Sequence, residues 1–408
     1  MIAAPAIKPA QAPGTPRRPA RLVSLQILRF LAAFLVVLFH LGSGLEENFS
    51  LSSNVFFFGA DGVDVFFVLS GFIIAYTTDP ARGVLHFLKR RIARIVPLYW
   101  FLTSGVVLIA LIGPNLLQST EVTPQTLWRS YLFLPYQKEN GFTQPILFLG
   151  WTLCYEAYFY AIFAVSLIAG RFAPWVACTV VYYIFLVGLL WPEGPALWRF
   201  YTDPIILEFL FGMLLHQLYL HWPAMREGSL PIASGLIAAG VAFYALLFDF
   251  PDVVGKGVPA ALIVAAFLCL TLSGGRIVAL LVLLGDASYS LYLSHPYILQ
   301  LPIRTMGEDV GFIPTAIVTS CFIVVALLVS LVLFFAVERP AQGFLLWLFG
   351  DRLARRAELP RLGAALRPPF GQNLRILLDR HAGLAQFGEG YRGEQARQRP
   401  DRHRANQC

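Results

Sequence analysis

The chain has 408 residues, of which 57% are hydrophobic and only 13% charged, and its mean hydropathy is +0.65. That balance excludes an ordinary soluble domain and describes a polytopic membrane protein. The net charge of +7 is uneven: from Asp351 onward there are twelve Arg and no Lys against six acids. This fits a cytoplasmic tail on anionic lipid better than a nucleic-acid-binding arm, and no nucleic-acid partner is expected.

In chain order, residues 1–21 are Pro- and Ala-rich and end in RRPAR. They read as a short disordered cytoplasmic arm without a cleavable signal sequence. Apolar runs of spanning length follow at about 23–44, 55–78, 95–113, 147–169, 173–191, 203–221, 231–249, 258–274, 278–301 and 313–337. Lys and Arg cluster at alternate ends of these runs, which puts both termini in the cytoplasm if there are ten crossings. The expected fold is therefore an all-α membrane bundle of about ten transmembrane helices. Its domains are the arm, a membrane domain over 22–340 and an Arg-rich cytoplasmic tail over 341–408.

The first run, Leu22 to Gly44, carries Arg29 and His40. Eleven residues make close to three turns, so both side chains project from one face, about 16 Å apart. Charges inside a spanning helix usually face a wet cavity or the protein interior, with a task there. In the second run Asp61 and Asp64 share a face, with Gly59 and Gly62 allowing close packing. Ser70-Gly71-Phe72 lies further in, and on physics alone its small residues read as a helix contact.

HFLKRRIARIVPLYW follows, with Lys89, Arg90, Arg91 and Arg94 interleaved with apolar residues. It reads as an amphipathic helix in the cytoplasmic interface, ended by Pro97. Its charges serve either topology and lipid binding or as a guanidinium clamp for phosphates. The loop from Pro114 to Pro145 is rich in aromatics and reads as a lid or re-entrant segment. The fourth run opens with GWTLCYE, placing Glu156 two turns inside the membrane, where a partner such as Arg29 or His40, or protonation, is needed. Glu208, Asp286 and His295 complete the buried ionisable set. For His295, beside Pro296 at an outer end, structural and catalytic roles stay equally open. The cysteines show no disulfide or zinc spacing, and no metal site is expected.

Taken together, the Arg29/His40 pair, GVDVFFVLSGF, KRRIARIVPLYW, GWTLCYE, GDASYSLYLSHP and the closing Glu338-Arg339-Pro340 resemble the acyltransferase 3 family of integral-membrane O-acyltransferases. The similarity is greatest to the branch that acetylates exopolysaccharide of the succinoglycan type. It covers roughly 22–340, and Cys154 stands where a polar residue would be expected. The resemblance implies an enzyme of the bacterial cytoplasmic (inner) membrane. It would move an acyl group, usually acetyl, from acyl-CoA to a sugar hydroxyl of a polysaccharide or lipid-linked oligosaccharide. Acetyl-CoA would be a donor substrate, with no permanently bound cofactor.

The resemblance also gives weight to Arg29, His40, Ser70, Gly71, Phe72, Arg90 and Arg91. On this reading His40 is the general base, its ordinary pKa of about 6.5 suiting proton removal from a hydroxyl. Glu156 orients it, Arg29 assists, and Arg94 joins the acyl-CoA-binding group. Asp61, Asp64, Trp151, Tyr155 and His295 are further candidates. A transporter of a small polar or lipid-linked solute is the alternative, though no matching pair of interrupted helices supports it. A glycosyltransferase would call for an acidic metal site, for which Asp61 and Asp64 are weak candidates.

Overall fold

A computed structural model describes residues 22–49, 54–112, 121–247, 250, 252–272, 274–310 and 312–350. The expected arm over 1–21 and almost all of the tail lie outside them. The chain divides into two units, Met1–Leu345 and Leu346–Cys408; of the second, only the last few residues of one helix and its end are described. All that follows concerns the first.

The first unit is almost wholly helical. In chain order it holds α1 (Val23–Phe49), α2 (Gly62–Thr77), α3 (Gly83–Ile112), α4 (Pro124–Tyr131), α5 (Trp151–Ser166), α6 (Ala173–Leu189), α7 (Ala196–Tyr201) and α8 (Leu207–His221). Then come α9 (Pro223–Glu227), α10 (Leu230–Leu247), α11 (Val258–Leu268), α12 (Arg276–Asp286), α13 (Ser288–Val310), α14 (Phe312–Leu333) and α15 (Arg339–Leu348). One two-residue hairpin, β1 (Tyr136–Gln137) with β2 (Thr143–Gln144), lies between α4 and α5.

Among the described residues, seven helical stretches are long and apolar enough to cross a membrane, or eight when the 70° bent pair Arg276–Asp286 and Ser288–Gln300 counts as one. Leu111, Ile168, Leu190, Leu246, Ile277 and Ile313 stand exposed on these helices, a belt that hydrocarbon tolerates and water does not. The protein is a multi-pass membrane protein. The count departs from ten for local reasons. Phe148–Leu189 forms one helical stretch, broken at Gly170 (φ 60°), a backbone that side-chain-bearing residues rarely adopt. The run at 258–274 supplies only a shorter apolar helix, Val253–Leu268.

Pro97 does not end a helix. The basic segment and the following apolar run form one 30-residue helix, α3, with Pro97 inside it. A proline removes one backbone bond, here the one to the Ala93 carbonyl, which a helix within a bundle can tolerate; Tyr289 Oη donates to the nearby Ile95 carbonyl at 2.8 Å. Pro296 likewise lies inside α13 rather than at its end.

α1 is the spine. It packs on α2, α11, α12, α13 and α14, burying Leu25, Leu28, Ala33, Val36, Val37 and Leu41. A Cβ at Gly62 would stand 2.4 Å from the Ala32 carbonyl oxygen, so α2 and α1 meet nearly backbone to backbone. The α2–α8 contact is closer still. A Cβ at Gly71 would fall 2.1 Å from the Phe209 carbonyl oxygen, and one at Gly212 would fall 2.0 Å from that of Val68. The α4 segment is tied to α3 by Tyr99 Oη and Trp100 Nε1, which donate to the Ser130 and Tyr131 carbonyls at 2.9 Å each.

Two outcomes follow. Gly212→Val separates α2 from α8 and is expected to abolish monodisperse protein on size exclusion in detergent, whereas Gly235→Ala, in open space on α10, leaves it intact. In the hairpin, burial lowers the Lys138 ammonium to about 8 from its ordinary 10.5. The folded state binds its proton less tightly than the unfolded state, so burying the charged form destabilises the fold below pH 8 and that cost fades toward pH 10.5. Lys138→Met should raise the melting temperature at pH 7, with the two proteins converging as pH rises through that window.

Candidate active site

A cavity of about 170 Å³ opens among α1, α2, α3, α5 and α13. That is roughly ten times the space one water needs, room for a slender ligand chain. Its wall brings together Arg29, Ser70, Arg91, Arg94 and Glu156, contributed by four helices far apart in sequence. Tyr160, Tyr289, Tyr292, Thr152 and Gln26 complete the polar lining, and Phe66, Phe67, Leu69 and Ile73 supply an apolar side.

The charges have specific partners. Arg94 Nη1 lies 2.6 Å from Glu338 Oε1, and Ser290 Oγ donates to Glu338 Oε2 at 2.6 Å. Glu338 is 1% exposed, so the guanidinium is fixed by a buried carboxylate. Arg91 donates from Nη2 to Thr77 Oγ1 at 2.8 Å and stacks over the Phe87 and Tyr160 rings. Its Nε is buried with no hydrogen-bond partner among the described residues. Arg29 donates to Gln26 Oε1 at a long 3.4 Å and has no ion-pair partner among the described residues. Two guanidinium groups without an ion-pair partner among the described residues thus line the cavity, the arrangement that suits an anionic or carbonyl-bearing ligand.

Arg90 stands apart from this wall. It points about 100° away from Arg91 around α3 and is exposed. Arg91 and Arg94, three apart, are the pair that shares a face.

Glu156 is not the orienting partner of His40. Its Oε1 accepts from Ser70 Oγ at 3.1 Å and from Tyr160 Oη. The reason is depth. Phe148, just before α5, reaches the His40 ring at 5.9 Å, and Glu156 lies eight residues further along, about 12 Å down the axis. That is the level of Arg29 rather than of His40.

His40 pairs with His295. His295 Nε2 is 3.2 Å from His40 Nδ1, which is also 2.9 Å from the Val36 carbonyl oxygen. His40 does not line the guanidinium cavity. Tyr292 connects the two places: it lines the cavity, packs on Phe66, and its ring centroid lies 6.3 Å from that of His295.

The Ser70-Gly71-Phe72 triplet splits into three tasks. Ser70 faces the cavity, Gly71 makes the α8 contact, and Phe72 is buried against Tyr76, His216 and Tyr219. Trp151 and Tyr155 pack on Phe67, with Tyr155 also stacked on Phe200, so neither lines the cavity. Asp61 and Asp64 lie on the other side of α2. Asp61 accepts from Tyr244 Oη at 2.6 Å and lies 3.9 Å from Lys256 Nζ, while Asp64 neighbours the fully buried Glu208 of α8. Missed from the sequence were Tyr160, Tyr289, Tyr292, Thr152 and the role of Glu338. Only Glu338 gave a signal, as a carboxylate at the end of an apolar run.

The acyltransferase domain family (acyltransferase 3) matches residues 22–335. The chain belongs to this family. It is 34% identical to the exopolysaccharide production protein ExoZ of Rhizobium meliloti strain 1021, over 74% of this chain and 94% of that protein. It is 27% identical to the acyltransferase MdmB of Streptomyces mycarofaciens, over 73% and 84%. Identity to the O-acetyltransferase OatA of Staphylococcus aureus is 24%, over 68% of this chain and 50% of that protein. No solved structure matches. The protein is an acyltransferase, and the transporter reading falls away.

Glu338→Ala removes the ion-pair partner of the part-buried Arg94 and is expected to cost about 3 kcal/mol of stability. The double substitution Arg94→Met with Glu338→Leu should recover most of that loss, as measured by thermal unfolding in detergent.

Proposed function

We propose that this enzyme takes an acyl group, acetyl in the simplest case, from acyl-CoA and places it on a sugar hydroxyl of a surface or exported polysaccharide, or of its lipid-linked precursor. The observation that carries the reading is the cavity walled by Arg29 and Arg91, bordered at Tyr292 by the histidine pair. Family membership supports acyl transfer. The names of ExoZ and OatA, an exopolysaccharide production protein and an O-acetyltransferase, favour a glycan acceptor.

In this mechanism the CoA phosphates dock on Arg91, and the pantetheine arm enters beside Arg29 with its thioester toward Tyr292. His40 takes the proton of the sugar hydroxyl, whose oxygen attacks the thioester carbonyl carbon. Arg94 holds the wall in place through Glu338. Glu156 keeps Ser70 and Tyr160 turned to the cavity.

The membrane placement follows the same reading. Splitting α5 from α6 at Gly170, and counting the bent α12–α13 pair and the short Val253–Leu268 helix, gives ten crossings. Both termini then lie in the cytoplasm, with the protein in the inner membrane and the basic start of α3 at its cytoplasmic interface.

One experiment tests the whole: purified protein is given acetyl-CoA with and without glycan, and free CoA and acylated glycan are measured. Wild type should release CoA only with glycan present. His40→Ala should insert normally and lose at least about 100-fold in turnover, and near-normal turnover there would end the assignment. Arg91→Ala should weaken acetyl-CoA binding while leaving the folded protein intact, and Arg90→Ala, off the cavity wall, should weaken it less.

A further inference from the structure

We propose that His295 is the positioning residue of the base: it holds His40 in the one tautomer that can accept a proton from the sugar, and it receives the His40 Nδ1–H as charge develops. This rests on the reading of His40 given above.

The tautomers follow from which atoms are able to donate. His295 Nδ1 lies 3.0 Å from the Leu291 carbonyl oxygen, and His40 Nδ1 lies 2.9 Å from that of Val36. Carbonyl oxygens only accept, so each Nδ1 carries the hydrogen. His295 Nε2 is then bare, and at 3.2 Å it shares the one His40 Nδ1–H with the Val36 carbonyl in a three-centre bond. The lone pair of His40 is left on Nε2.

The His295-Pro296 dipeptide secures this. Pro296 has no amide hydrogen, so the Tyr292 carbonyl loses its helical donor, and the His295 ring faces that carbonyl as well as that of Leu291. His295 is fully buried, and Phe39, Phe148 and Tyr292 wall the pair. A carboxylate in that place would have to be desolvated. A neutral imidazole provides the acceptor without burying a charge.

The step balances. The hydroxyl proton moves to His40 Nε2 as the oxygen bonds to the thioester carbonyl carbon. The C–S bond then breaks with its electron pair on sulfur, and the Nε2 proton passes to the thiolate, giving ester and CoA thiol. Throughout, the Nδ1–H bond to His295 strengthens while His40 is cationic.

The test uses the full-length protein in detergent with acetyl-CoA and glycan. His295→Leu should lower kcat about 100-fold while KM for acetyl-CoA stays within about twofold. His295→Gln, whose amide oxygen accepts the same hydrogen bond, should return kcat to within about tenfold of wild type. With ¹⁵N-labelled histidine, assigned by loss of signal in His40→Ala, wild-type His40 should show a protonated Nδ1 and a bare Nε2. A protonated Nε2 in neutral wild-type His40 would overturn the proposal. So would a fully active His295→Leu beside an inactive His40→Ala, which leaves His40 as base and removes His295 alone. Turnover by His40→Ala removes the base itself. Should His295→Leu fail to purify, the Gln variant and the wild-type spectrum decide.

Discussion

A guanidinium or carboxylate surrounded by hydrocarbon must find a partner or a wet cavity, and that demand joins helices the chain order keeps apart. Arg94 of α3 is answered by Glu338, which Ser290 of α13 also grips. Glu156 of α5 is answered by Ser70 of α2 and by its own neighbour Tyr160. Each tie fixes a wall of the same cavity. Arg29 and Arg91 line the same cavity with no ion-pair partner among the described residues.

The two sides of α2 show how packing and chemistry are kept apart. One side carries Val63, Phe66, Phe67 and Ser70 into the cavity. The other carries Gly71 against α8, and Asp64 beside Glu208. Because side chains repeat every 3.6 residues, a triplet such as Ser70-Gly71-Phe72 distributes its members around the helix. Three adjacent residues therefore serve cavity lining, backbone contact and core filling.

Much of this was legible in the sequence because burial in a membrane makes polar residues conspicuous. Arg29 and Glu156 stand out against apolar runs, Arg91 belongs to a conspicuous basic cluster, and Ser70 gained weight only from the family resemblance; the structure brings all four to one cavity. What the sequence withheld was depth and facing. Glu156 and His40 look like partners until the axial rise of α5 is counted from Phe148. Arg90 and Arg91 look like a pair until the helix turns one of them outward. Pro97 reads as a stop, since nothing local shows that a 30-residue helix of a bundle can carry it. The aromatic lining stayed invisible because Tyr160, Tyr289 and Tyr292 are ordinary residues of apolar helices until neighbours give their hydroxyls a task.

Phe66 and Tyr292 stand where the guanidinium cavity borders the histidine pair, with Thr152 Oγ1 and Tyr292 Oη 3.1 Å apart beside them. Aromatic rings thus stand between the two places. A carbonyl on a thin flexible arm can edge past an aromatic side chain that swings, whereas a hydrated ion would have to shed its shell to follow. On the proposed reading an acyl group would pass these rings to reach His40 while the membrane keeps its electrical insulation.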